Sequence, residues 1–250
     1  MSETATENAP LTVVLVHGAF ADASSWNGVI ERLQAVGIQV TAPAIPLRGI
    51  AHDSAYIASF LNQIPGPVLA VGHSYAGAVI SNAAADADNV AGLVFVAAFA
   101  PEEGERLGEV EARSRDSVLM TAQVALQYPT GNGAETATEV AIDPAKFHDA
   151  FAADLPREQT AVMAATQRPV AEPAFSEPSG PPAWKSLPTW AVVATGDKAA
   201  AGADVIRSMA ERAGATISEA EGSHVIMVSQ PETVANVILT AAAAVHRPPG

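Results

Sequence analysis

Apolar positions along the first hundred residues alternate between two periodicities. Residues 11–16 form a short, continuous run of apolar and mostly β-branched side chains, the pattern of a strand buried on both faces of a parallel sheet. Trp26, Val29, Ile30 and Leu33 then recur at helical spacing, with Gly37 as a stop. Residues 38–42 read as a second strand, 51–63 as a second helix and 67–71 as a third strand. Residues 75–85 follow as a helix of mostly small side chains, and 92–98 as a fourth strand. Strand and helix alternating at this spacing predict βαβ units, hence an α/β fold with a parallel sheet.

The alternation then stops. Residues 101–188 carry helix-like stretches (107–127, 144–153, 157–167) and Pro/Gly loops, without a convincing strand. A crossover needs only about a dozen residues, so this segment is expected to be an insertion lying over the sheet. Strand 189–195, helix 203–212, strand 215–219 and a last helix opening at Pro231 complete the pattern. The expected organisation is one core domain built from 11–100 and 188–245, a helical cap at 101–187, and loose tails at 1–10 and 246–250.

Composition narrows the chemistry. The 250 residues contain no cysteine, which removes disulfides, zinc–cysteine sites and a thiol nucleophile. Thirteen Lys and Arg stand against 27 Asp and Glu, a net charge of −14, so nucleic acid and anionic membrane are poor partners. The longest apolar runs fall far short of the ~20 residues that span a bilayer, and the first ten residues carry no Lys or Arg to open a signal peptide. The cytoplasm is the expected location. No metal-binding, phosphate-loop or dinucleotide motif occurs in a fitting context, so no metal and no cofactor is expected. Gly131-Asn132-Gly133 reads as a turn in the cap.

Gly72-His73-Ser74-Tyr75-Ala76-Gly77 joins the third strand directly to a helix. A serine at so tight a strand-to-helix turn is strained in a way that presents its hydroxyl, provided the residues two before and two after are small. Those are Gly72 and Ala76; Ala76 replaces the usual glycine and should tighten the packing there. An N-cap serine would need no such surroundings. The hydroxyl requires a base. Among six histidines, His17 and His73 sit in motif backbones, His52 and His148 on predicted helices, and His246 in a tail. Only His224 follows a late strand, in a loop before the last helix. The imidazole in turn needs a carboxylate, and Asp197 lies just past strand 189–195 at the edge where α/β sheets place ligands. Glu102 and Glu103, beyond the fourth strand, are the competing acids. Asp22 and Asp53 read as turn or helix-start residues. Two N–H groups must also face the developing oxyanion: that of Tyr75 and that of Ala19 in His17-Gly18-Ala19-Phe20, with Phe20 as the alternative. Phe20 and Val225 are the expected substrate contacts.

These pieces together resemble the α/β-hydrolase superfamily, and most closely its compact branch of plant methyl esterases, hydroxynitrile lyases and bacterial relatives. The likeness covers roughly 11–100 and 187–245 and is weak over the cap. It implies an α/β-hydrolase fold, a mostly parallel central sheet flanked by helices with an inserted helical cap. It also implies a serine esterase acting on a small or medium uncharged ester or lactone. Ser74, His224 and Asp197 would then be nucleophile, base and orienting acid, and a homodimer is left open. A hydroxynitrile lyase or a perhydrolase would use the same three residues, and a non-enzymatic small-molecule receptor could retain them. Lyases of this branch resemble one another in a Lys after the base and a Thr where this chain has Gly18. This chain has Val225 and a bare glycine there.

Overall fold

The computed structural model describes residues 9–246, so most of both expected tails lies outside the described residues. In chain order the first half runs β1 (Thr12–Val16), α1 (Asn27–Ala35), β2 (Gln39–Thr41), α2 (Ile50–Leu61), β3 (Val68–His73), α3 (Ala76–Ala83) and β4 (Val90–Val96). Residues 101–187 hold α4 (Leu107–Glu111), α5 (Leu119–Ala122), β5 (Gln123–Pro129), β6 (Thr136–Ile142), α6 (Pro144–Phe151), α7 (Arg157–Thr166), β7 (Val170–Ala171) and α8 (Pro173–Ser176). The chain closes with β8 (Thr189–Ala194), α9 (Gly202–Arg212), β9 (Thr216–Ala220), α10 (Ile226–Ser229) and α11 (Pro231–Val245).

Six strands form one parallel sheet in the order β2-β1-β3-β4-β8-β9. Every residue of β1, β3 and β8 is buried, because helices cover both faces: α1 packs on α11 on one side, and α2 packs on α3 on the other. That double burial is why these strands appear in the sequence as unbroken apolar runs. The edge strands β2 and β9 are only partly buried and alternate more with polar residues. No helix among the described residues is long and apolar enough to cross a membrane.

The cap departs from the expected all-helical form. It contains a three-stranded antiparallel sheet, β5-β6-β7, and the helix predicted over 107–127 is broken in two with β5 at its end. Two local causes can be named. Ser114 Oγ accepts from the backbone N–H groups of Asp116 and Ser117, and Ser117 Oγ from that of Leu119, so hydroxyls replace the helical partners between α4 and α5. Beyond them, Gln123–Pro129 pairs residue by residue with Thr136–Ile142, and Gly131 and Gly133 supply the positive φ of the connecting loop (89° and 66°). The Gly131-Asn132-Gly133 turn is therefore present, but it closes a hairpin that helix-favouring Ala, Leu and Gln had concealed.

The junction of β3 with α3 tests which small residues the fold requires. A Cβ on Gly72 would stand 2.6 Å from the Ala76 carbonyl oxygen, and one on Gly77 only 2.2 Å from that of Phe99. Both obstacles are backbone and cannot rotate away. Ala76 is fully buried and its methyl is accommodated, so the close approach falls on Gly77 rather than on the position the motif suggested. Gly77→Ala is therefore expected to destabilise the protein by about 1–3 kcal/mol or more, and Ala76→Gly by less, as read from chemical denaturation.

Candidate active site

Ser74 has a φ of 55°, left-handed for a residue with a Cβ, at a cost of roughly 1–2 kcal/mol. Its neighbours hold it there. Its N–H donates to Val96 O at 3.3 Å, and its carbonyl accepts from Gly77 N–H at 3.0 Å and Phe99 N–H at 3.2 Å. Gly18, beyond β1, closes the other side: a Cβ there would lie 2.7 Å from Ser74 Cβ and 2.8 Å from His73 O. The turn is thus wedged between the ends of β1 and β4, and Ser74 is itself buried.

His224 lies in the loop between β9 and α10 and is 1% exposed. Its Nδ1–H donates to Asp197 Oδ2 at 2.7 Å, which leaves Nε2 as the basic nitrogen. The second carboxylate oxygen of Asp197 accepts from Ala199 N–H at 2.7 Å, so the acid is buried with both oxygens occupied. Of the competing acids, Glu102 pairs with Lys185 at 2.6 Å and Glu103 is exposed. The Ser74 turn and the His224 loop are also tied through the chain. His73 Nε2–H, one residue before Ser74, donates to the backbone carbonyl of His224 at 2.9 Å.

The N–H groups of Ala19 and Tyr75 donate to no protein acceptor among the described residues, and the same holds for Phe20. The Tyr75 ring points away from the site. Its hydroxyl donates to Asp53 Oδ2 at 2.8 Å, and both oxygens of Asp53 also accept from Arg48 N–H at 3.2 Å. Asp53, expected as a helix-start residue, does lie in the first turn of α2, but it is fully buried. Burial raises its carboxyl pKa, opposed by the bond from Tyr75. Phe20 has a φ of 60° and packs edge-on to Phe151 of α6, with ring centroids 6.1 Å apart. It walls a cavity of about 320 Å³ shared with Val162, Met163 and Val228. Val225 does not line that cavity; it is fully buried at the start of α10.

Two further histidines are buried beside the turn. His17 Nδ1–H donates to Gly18 O at 2.9 Å, and Nε2 accepts from Ile45 N–H at 3.2 Å, so the neutral ring satisfies both nitrogens. A second proton at Nε2 would face that N–H and the Arg168 guanidinium 3.4 Å away. Burial accordingly lowers the His17 pKa from 6.5 to about 4. His73 is held well below its ordinary value by burial and by the nearby His224.

Phe151, Glu111 and Asp154 were not singled out from the sequence. The Phe151 ring centroid stands 4.9 Å from that of His224, and the Phe147/Phe151 pair at helical spacing was the available sign of a buried cap face.

Comparison with known proteins identifies the family and the fold. The sequence model described as the alpha/beta hydrolase family matches residues 13–237. Lipase LipV of Mycobacterium tuberculosis is 35% identical over 112 residues, 40% of this chain and 42% of that protein, so the chain aligns with under half the length of this curated relative. Among solved structures, polyneuridine aldehyde esterase superposes with a TM-score of 0.79 at 19% identity, covering 94% of this chain and 100% of the other. A methylesterase from Arabidopsis gives 0.75 at 20% identity, with 94% and 99% covered. Tomato methylketone synthase I gives 0.77 at 21% identity, again with 94% and 99% covered. At these identities the superpositions establish the fold.

The buried histidines make stability pH-dependent. His17 is neutral when folded and protonates near 6.5 when unfolded, so stability is full above pH 6.5 and falls as pH drops towards about 4. The loss from His17 alone should approach about 3 kcal/mol. Urea denaturation at pH 7 and pH 4.5 should show this drop, and His17→Gln, which keeps an acceptor for Ile45 without the titration, should reduce it.

Proposed function

The chain belongs to the alpha/beta hydrolase family, and on that premise we propose that it is a serine hydrolase cleaving small or medium uncharged carboxylic esters or lactones. The observation that carries this reading is the buried His224–Asp197 hydrogen bond of 2.7 Å, with the His224 backbone bonded to His73, the residue before a serine in left-handed conformation. Ser74 Oγ attacks the ester carbonyl as His224 Nε2 takes its proton. Asp197 keeps the imidazole in the required tautomer and stabilises the imidazolium. The N–H groups of Ala19 and Tyr75 receive the tetrahedral oxyanion. Collapse expels the alcohol with the proton from His224, and water repeats the cycle on the acyl-enzyme. No cofactor enters this scheme.

The hydroxynitrile-lyase alternative needs a cation for the departing cyanide and, in its relatives, a hydroxyl at the position of Gly18. Val225 is apolar and buried, and a Cβ at Gly18 would meet Ser74 Cβ at 2.7 Å, so neither group is provided here. We therefore expect turnover of p-nitrophenyl esters and no Ser74-dependent cyanide release from mandelonitrile. The reverse pattern would overturn the assignment.

Ser74→Ala and His224→Ala should each abolish ester turnover by something on the order of 10⁴-fold, and the double variant should lose little more, because the groups act as a unit. Asp197→Asn should cost about 10²–10⁴-fold with the fold intact, whereas Glu102→Gln and Glu103→Gln should stay near wild type. Steady-state kinetics with circular dichroism checks all six. A folded Ser74→Ala variant that keeps its activity would end the serine-hydrolase reading.

A further inference from the structure

Glu111, at the end of α4 in the cap, is 4% exposed and has no place in the chemistry above. Its carboxylate accepts from Ser117 Oγ–H within the cap and from Ala201 N–H in the core. Ala201 belongs to an unusual turn: Ala200, Ala201 and Gly202 have φ of 39°, 67° and 77°, three left-handed residues in succession, two of them alanine. Alanine adopts that conformation only when its surroundings enforce it. The turn starts at Asp197, whose Oδ1 accepts from Ala199 N–H while Oδ2 meets His224. The cap also grips the turn at its near end, where Val118 N–H donates to Lys198 O at 2.9 Å. Burial raises the Glu111 carboxyl pKa, the bonds from Ser117 and Ala201 and the nearby His224 oppose this, and the charge of Asp197 adds to it.

A matching contact reaches the base. Asp154, between α6 and α7, accepts from Ser223 N–H at 2.9 Å and from Ser223 Oγ–H. Ser223 immediately precedes His224. Each loop that carries a member of the acid–base pair is therefore held by one carboxylate of the cap.

We propose that the cap assembles the acid–base pair: Glu111 positions Asp197 by holding the left-handed turn at 200–202, and Asp154 positions His224 by holding Ser223. Both are positioning residues; neither touches substrate. The inference rests on the serine-hydrolase reading. A cap that merely covers the substrate would transmit changes at these residues to KM and to thermal stability. A cap that orients the pair transmits them to kcat.

The test measures kcat, KM and Tm for Glu111→Ala, Glu111→Gln, Asp154→Ala and Ser223→Ala on a p-nitrophenyl ester. It adds the low-field proton resonance of His224 Nδ1–H, assigned by its loss in Asp197→Asn. Glu111→Ala and Asp154→Ala should each lower kcat by about 10- to 100-fold, with KM within about threefold, and should shift or broaden the resonance. Glu111→Gln, which keeps an oxygen for Ala201 N–H, should recover most of the loss. Ser223→Ala, which keeps the backbone bond to Asp154, should lose less than Asp154→Ala. Folded alanine variants with kcat within about twofold of wild type and an unchanged resonance would overturn the proposal. So would a kcat loss that follows Tm and that glutamine does not restore. If an alanine variant fails to fold, Ser223→Ala decides the base arm and Ser117→Ala the acid arm: reduced kcat at unchanged Tm supports the proposal, and unchanged kcat refutes it. If the wild type turns over no ester, the serine-hydrolase reading fails by itself, and the resonance in the same variants still decides whether the cap orients the pair.

Discussion

The left-handed backbone of Ser74 sets conditions that much of the molecule is built to meet. A serine there is stable only if its amide and carbonyl are bonded, and Val96 and Phe99 supply bonds from outside the turn while Gly77 supplies one from within it. Gly18 must lack a side chain for β1 to end beside it, and Gly77 for α3 to pass the end of β4. The same kind of conformation recurs around the site. Among the described residues, the non-glycine residues with positive φ are Phe20, Leu47, Ser74, Ala97, Ala200 and Ala201, all following the carboxyl ends of sheet strands. Strain is concentrated along one edge, and the fully buried strands behind it resist the relaxation that would release it.

Electrostatics at that edge follow from burial. His17 and His73 lie under the turn, and burial disfavours a second proton on each, aided at His17 by the Arg168 guanidinium and at His73 by the nearby His224. Both are held neutral, so neither places a cation beside His224. In the proposed cycle His224 is then the imidazole that becomes charged, and Asp197, bonded to Ala199 N–H on its far oxygen, remains an oriented anion beside it. Tyr75 contributes differently: its side chain is anchored on Asp53, and in the proposed cycle its backbone N–H receives the oxyanion.

The fold constrains chemistry less than it constrains geometry. The solved structures that superpose over nearly all of this chain include an esterase and a methylketone synthase, so shared architecture is compatible with different outcomes. What distinguishes members of such a fold must come from the lining above the nucleophile. Here Phe20 from the β1 loop shares one cavity with Val162 and Met163 from α7, and Phe151 from α6 stands against both Phe20 and His224, so three of these four residues come from the cap.

The core was legible in the sequence because its determinants are local. Each buried strand is an apolar run of five or six residues, the helix α1 shows its own periodicity, and the Ser74 turn needs small residues within three positions of it. The chain order of Ser74, Asp197 and His224 added their loops, each at a strand end. The cap sheet was not legible, because β5 is specified by pairing with β6 and β7 is two residues long, too short for any period to show. The contacts proposed to position the acid–base pair were equally hidden. Glu111 meets Ala201 across 90 positions and Asp154 meets Ser223 across 69, and neither acid differs in its local sequence from a solvated surface carboxylate. A hydrogen bond between distant segments leaves no periodicity in either one, so only the packing of cap on core decided which carboxylates face the site.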